Sequence, residues 1–209
     1  MDEGAKNGMS EIENDNVTRL ASQWMASRQT VLPKRLVAPG PSAAELDQLF
    51  QAAAAAPDHD LINPWRFLII PEHKRLDLGE LFAAALLERD PSASPDQLAQ
   101  ARDKALRAPL LMVLIVDEAK GSAEIDLLER VLSAGCAVQN VMLLAQAMGY
   151  GSGLTSGKAL KAASFRAGLG LNPSEHAICC LSVGTVSSRK PFKARPDVTQ
   201  FTRVWGDST

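Results

Sequence analysis

Histidine, cysteine and aromatic residues are scarce: the 209-residue chain has three histidines, three cysteines and 5% aromatic side chains. His59, His73 and His176 stand far apart, and none falls in a CxxC, HxxxH or HExxH spacing, so no metal site is expected. Cys136, Cys179 and Cys180 lie in apolar runs. Neighbouring strand residues point to opposite faces, so reduced, packed thiols are expected and a Cys179–Cys180 disulfide is not. A Walker motif is missing, and Gly151-Ser152-Gly153 lacks the spacing of a hydrolase nucleophile elbow. Positive charge is not in excess. A formal net charge of -2 argues against a nucleic-acid partner, whose affinity would come mainly from neutralised phosphates. The longest apolar stretches are broken by charge before the roughly 20 residues of a membrane span, and Met1 to Asn7 lacks the apolar core of a signal peptide. A soluble, cytoplasmic protein without membrane or nucleic-acid partners is expected.

What is present is a core. With 46% hydrophobic and 22% charged residues, the chain has the composition of one globular domain. Residues 1–13 are polar and acidic without hydrophobic period, which predicts a disordered tail ahead of a single domain over 14–209. Val17, Leu20, Ala21, Trp24 and Met25 repeat at helical spacing and predict an amphipathic helix to Ser27. Capping boxes at Ser42–Glu45 and Ser94–Gln97 start helices that run to Ala56 and to about Ala108. Another helix is expected over Glu72–Glu88. Phe67–Ile70, Gly151–Leu154 and Ile178–Val186 read as strands, and Leu110–Val116 as a strand buried on both faces. Between them, Ser122 to Gly149 reads as one long central helix, apolar nearly all round. Lys158–Gly168 reads as a helix and Asn172–Glu175 as a turn. The segment after Ser187 is broken by Pro191 and Pro196 yet carries Phe192, Phe201, Val204 and Trp205. Such a tail is expected to drape over something, a partner subunit being the natural candidate.

The positions able to hold a ligand sit at element ends: Arg28-Gln29-Thr30, His59, Asn63, Thr155-Ser156, and the basic run through Arg189, Lys190 and Lys193. The glycine cluster Gly149-Tyr150-Gly151-Ser152-Gly153 follows a helix rather than a strand. It reads as a helix cap plus turn and not as a dinucleotide fingerprint. Trp65 reads as a packing wedge.

Taken in order, the blocks Arg-Gln-Thr after the first helix, Ala-Pro-Asp-His at 56–59, Asn-Pro-Trp-Arg-Phe at 63–67, Ser-Ala-Gly-Cys-Ala-Val at 133–138 and Gly-Tyr-Gly-Ser-Gly at 149–153 form a recognisable series. The series resembles the FMN-dependent nitroreductase family, in its short YdjA-like branch, over residues 15–205. The resemblance implies an α+β fold: a mainly antiparallel central sheet flanked by helices, with a long central helix, in an interlocked homodimer. It also implies FMN at the subunit interface, NAD(P)H as electron donor, and hydride transfer through flavin N5 to nitroaromatic, quinone or similar acceptors. Arg28, Gln29 and Thr30 match the segment that holds the flavin phosphate and ribityl chain, with Gln29 replacing an arginine. His59 matches a histidine near the partner subunit's flavin, and Asn63 a position facing its pyrimidine edge. Leu154, Thr155 and Ser156 match the segment beside the ring. Arg189 and Lys190 fall where the family supplies a second phosphate cation, and Lys34 or Arg35 where it places a basic residue toward the ring. Leu144–Gly149 aligns with a stretch sometimes assigned to the nicotinamide nucleotide, but reads here as buried helix. An FMN-binding module with little turnover, or a related flavin enzyme of different chemistry, is the alternative.

Overall fold

The computed structural model describes residues 11–206. Its elements, in order, are α1 (Glu11–Ser27), β1 (Leu36–Val37), α2 (Ala43–Ala54), β2 (Trp65–Ile69), α3 (Arg75–Arg89), α4 (Pro95–Asp103), β3 (Leu110–Asp117), α5 (Leu127–Ala147), β4 (Gly151–Thr155), α6 (Ala163–Gly168) and β5 (Glu175–Val186), with short 3-10 turns between several of them. Of the tail expected over residues 1–13, residues 1–10 lie outside the described residues, and Glu11 already belongs to α1.

The sheet is antiparallel and organised around β5. Residues 180–183 of β5 pair with β3 on one side and β4 on the other, β2 adds beyond β3, and β1 pairs with Thr185 and Val186. β3 is the buried strand its unbroken apolar run predicts. Met112, Leu114 and Val116 face α2 and α5, where they meet Leu49, Ala53 and Val141. Leu111, Val113 and Ile115 face the opposite layer, with Leu78 of α3 and Phe165 of α6. Period-two alternation thus gives the fold two cores, one on each side of a single sheet.

Both predicted capping boxes close. The Ser42 amide donates to the Glu45 carboxylate at 2.8 Å, and the Ser94 amide to the Gln97 side-chain oxygen at 2.8 Å. α2 and α4 end at Ala54 and Asp103, short of the expected Ala56 and Ala108, α4 passing into a 3-10 turn over Lys104–Leu106, and two further helices are shortened for tertiary reasons. α5 begins at Leu127 rather than Ser122, because Asp126 caps it by accepting from the Leu128 amide at 2.7 Å. Ahead of that cap, the buried Arg130 guanidinium donates to the carbonyls of Lys120, Ser122 and Ile125, holding those residues in a loop. The helix expected over Lys158–Gly168 breaks at Ala162, whose ψ of 140° is extended. The Glu88 carboxylate caps the second piece from a distance, accepting from the Ala163 and Ser164 amides at 2.9 and 3.0 Å. β1, only two residues long, carries no periodic signal.

α5 is not enclosed all round. Its inner face, with Ala134, Ala137, Val138 and Val141, is buried, while Leu128 and Leu132 on the outer face are 76% and 70% exposed. Among the described residues α5 is the one helix that passes as a membrane span by length and hydropathy, contrary to the expectation that charge breaks every such stretch, but its buried Arg130 and Ser133 and its packing on the sheet are those of a core helix. The apolar face of α1 (Val17, Leu20, Trp24, Met25) and the apolar side chains of the tail are likewise exposed in the single chain.

Candidate functional site

α1 ends where α5 catches it. The Gln146 side-chain amide donates to Ser27 Oγ at 2.7 Å and to the Trp24 carbonyl at 3.2 Å. The chain then crosses onto β4: the Val31 amide donates to the Ser152 carbonyl at 2.9 Å, and Thr30 forms an isolated bridge with Ser152. This crossing explains the glycines of β4. A methyl group on Gly153 would collide with the Val31 carbonyl, and one on Gly151 with the side chains of Val186, Leu36 and Val31. Gly149 has φ +89°, a left-handed residue just past the helix, as the cap-and-turn reading anticipates. The cluster therefore serves close backbone packing and cradles no phosphate itself.

The crossing sets Arg28 in a semi-buried position. One of its guanidinium nitrogens, Nη1, is fully buried and has no hydrogen-bond partner in the chain. Burial, and then the neighbouring Arg195, lower its proton affinity. Arg195 reaches in from the tail to donate to the carbonyls of Ala26 and Arg28. It thereby places positive charge on the C-terminal end of α1, whose dipole would otherwise repel an anion. Two guanidinium groups thus stand side by side, one with a buried donor that no acceptor in the chain uses. Gln29, Thr30, Arg35, Arg189 and Lys190 line a narrow cleft beside it. The tail is fixed there by Ser187, whose amide and hydroxyl donate to the Arg35 carbonyl at 2.9 and 3.0 Å.

Leu154, Thr155 and Ser156 project from the end of β4, all exposed. Thr155 and Ser156 border a cavity of about 520 Å³ on the α3 side of the sheet. Leu154 and Ser156 border a groove of about 330 Å³ against α5, beside Gly135 and Gln139. The two basic neighbours part company: Lys34 lines the larger cavity and Arg35 the cleft with Arg189 and Lys190. Cys180 lines that cavity too, but burial pushes its thiol up to about 12, so at neutral pH it is protonated and a poor nucleophile.

His59 and Asn63 lie elsewhere. Both belong to the loop before β2, in which Asp60, Leu61 and Asn63 adopt positive φ of 54°, 53° and 45°. His59 Nδ1 is 2.8 Å from Glu129 Oε2 in the first turn of α5, and this hydrogen bond is the main reason its pKa is raised. Asn63 is held by its backbone: its amide donates to the Asp58 carboxylate, and its carbonyl accepts from Lys120 Nζ at 2.7 Å. Trp65 is the wedge expected of it, packed edge-on against Phe67 and donating from Nε1 to Ser133 Oγ at 2.9 Å.

The candidate residues thus form three groups: Leu154, Thr155 and Ser156 at the end of β4, and two more at opposite ends of α5. Glu129 holds one and Gln146 the other, a separation of about 25 Å at 1.5 Å per residue. Gln29, Thr30, Arg189 and Lys190 line one cleft, while Arg28, next to Gln29 in the chain, faces Arg195; His59 and Asn63 do not join them within one chain. Arg195 was not singled out from the sequence, where it is one cation in a basic run.

The nitroreductase family model matches residues 26–185. A Haemophilus influenzae protein named "Putative NAD(P)H nitroreductase" is 32% identical over 152 residues, covering 73% of this chain and 82% of that protein. "Putative NAD(P)H nitroreductase YdjA" of Escherichia coli is 30% identical over 170 residues, covering 80% and 90%. Among solved structures, a mutant of the FMN and NADPH-dependent nitroreductase NfnB from Sphigopyxis sp. strain HMH superposes with a TM-score of 0.70 at 19% identity, covering 90% of this chain and 99% of the other. That likeness establishes the α+β fold with its antiparallel sheet and long helix.

Proposed function

This chain belongs to the nitroreductase family, and from that premise we propose that it is a cytoplasmic, FMN-dependent NAD(P)H oxidoreductase acting as a homodimer on nitroaromatics, quinones or similar small acceptors. The observation that carries the reading is the buried, unpartnered Nη1 of Arg28. An orphaned cationic donor inside a protein costs stability unless a ligand pairs with it. A flavin phosphate is the acceptor we assign to it, with Thr30, Arg189 and Lys190 of the small neighbouring cleft adding a hydroxyl and charge. Arg195 supplies the cation that Gln29 does not.

The homodimer follows from distance and from apolar surface. His59 and Asn63, about 25 Å along α5 from the phosphate group, reach the same cofactor only from a second copy. The exposed apolar faces of α1 and α5, together with Phe192, Phe201, Val204 and Trp205 of the tail, are the surface such a copy covers. FMN, when bound, supplies a hydride acceptor at N5 for NAD(P)H and the means of passing electrons on. The protein's part is orientation and charge: Leu154, Thr155 and Ser156 would border the ring, Lys34 would offer it a cation, and His59 of the second copy would bring a hydrogen-bond donor held by Glu129.

The test is an absorbance spectrum of the purified protein followed by NAD(P)H oxidation with a nitroaromatic or quinone. Flavin absorbance with acceptor-dependent turnover is expected; a colourless protein that binds no added FMN would refute the reading.

A further inference from the structure

α1 is a helix without a core to hold it. None of its described residues belongs to either hydrophobic cluster, and Ser22 to Ser27 are all exposed in the single chain. Polar contacts at its C-terminal end therefore decide where the chain leaves the helix. The final carbonyls of a helix have no partner within it, and α1 has no basic residue in its last turn to serve them. Donors from elsewhere take them. The Gln146 side-chain amide has two N–H groups and two acceptors, Ser27 Oγ at 2.7 Å and the Trp24 carbonyl at 3.2 Å. Ser27 Oγ itself donates to that carbonyl at 2.8 Å, so amide, hydroxyl and carbonyl close a ring of three contacts. Arg195 takes the carbonyls of Ala26 and Arg28.

Arg28 follows Ser27 directly. Three positions on, the buried Val31 has its amide fixed to the Ser152 carbonyl of β4 at 2.9 Å. The segment Arg28-Gln29-Thr30 is thus strung between two anchors, and these set the depth at which the Arg28 guanidinium sits. The anchor on β4 is made by backbone, whereas the anchor on α5 is a side chain. Within Leu144–Gly149 Gln146 is the one polar side chain, and its amide is spent on α1, which leaves that stretch no side-chain donor for a nicotinamide nucleotide. A neutral amide suits the α1 exit. It serves the carbonyls there without adding a third cation beside Arg28 and Arg195, or a carboxylate that would occupy them.

We propose that Gln146 is a positioning residue for the cofactor phosphate: by holding the α1 exit on α5, it keeps Arg28 Nη1 buried and its donor reserved for the anion. The proposal rests on the FMN reading for the identity of that anion.

The experiment is a double-mutant cycle on the full-length protein, with FMN dissociation constants read from the flavin that passes an ultrafiltration membrane on serial dilution. Gln146→Leu, similar in size but without a donor, should weaken FMN binding about tenfold, the order expected for two neutral hydrogen bonds. In an Arg28→Ala background the same change should alter binding by less than about twofold, because the residue through which Gln146 acts is gone. Additive losses in the two backgrounds would mark a merely structural helix contact and overturn the proposal. A Gln146→Leu protein that holds FMN as tightly as the parent would overturn it too. So would a raised KM for NADPH at unchanged FMN affinity, which would place Gln146 at the nicotinamide nucleotide instead. If Gln146→Leu does not fold, Gln146→Met, unbranched and likewise without a donor, takes its place in the cycle. A parent that binds no FMN would refute the oxidoreductase reading and this proposal together, whereas an FMN-binding parent with an additive cycle would refute this proposal alone.

Discussion

The two ends of α5 carry polar groups of opposite kinds. At the Gln146 end, Arg28 holds a buried donor with no acceptor in the chain, and a second guanidinium stands beside it. At the Glu129 end, His59 is exposed and already satisfied by a carboxylate 2.8 Å away. Burial separates them. A cation without a partner under protein surface is an incomplete site, whereas a charged pair in water is complete and nearly neutral in energy. One end therefore should govern affinity for a phosphate, and the other should tune and orient.

The largest break of this contrast is truncation. Ending the chain before Phe192 removes Arg195 and the exposed apolar groups of the tail together. Loss of dimer mass in sedimentation and loss of bound flavin are expected; an intact dimer would show that the tail does not cover the partner. Next is Arg28→Ala, expected to weaken FMN binding by about 1.5–3 kcal/mol, the usual range for a charge-assisted hydrogen bond. A flavin titration reads it, and unchanged affinity would remove Arg28 from the site. Gly153→Ala attacks the same end through the backbone. The new methyl meets the Val31 carbonyl and should cost about 1–3 kcal/mol of unfolding free energy through overpacking. The His59 pKa should stay where it was, since that residue sits at the far end.

The smallest effect belongs to the His59 end. A histidine whose folded pKa is raised stabilises the protein fully below its unfolded value of about 6.5, and that contribution disappears as pH rises through the folded value. The melting-temperature gap between the parent and His59→Ala should accordingly be small, present near pH 5.5 and gone near pH 9 (about one unit below and well above the ordinary histidine value). Glu129→Gln should bring the His59 pKa down in an NMR titration. If it does not move, Glu129 is not what holds it.

Much of the fold is legible in local pattern. The unbroken run Leu110–Val116 predicts a strand buried on both faces, and the serine caps at 42 and 94 are readable because a capping box involves residues three apart. Arg28, Thr30, His59 and Asn63 were legible as candidates from the motif series around them. Arg195 was not, because nothing in its neighbourhood along the chain distinguishes it from Arg189 or Lys193. Nor was the start of α5, where apolar periodicity runs past Asp126 and the helix is stopped by the Asp126 cap together with the three carbonyls gathered by Arg130.

By itself, the sequence determined four of the five strands, the helix faces and the two capping boxes, since each depends on residues within a few positions of one another, and the motif series along the chain determined the family. Tertiary structure decided which cations meet. Arg195 touches the α1 terminus some 170 residues before it, Glu88 caps α6 from α3, and five lysines and arginines from five segments surround one cavity. Such meetings follow from where the sheet brings chain ends in space, and Coulomb interactions act on that distance and on burial rather than on separation along the chain.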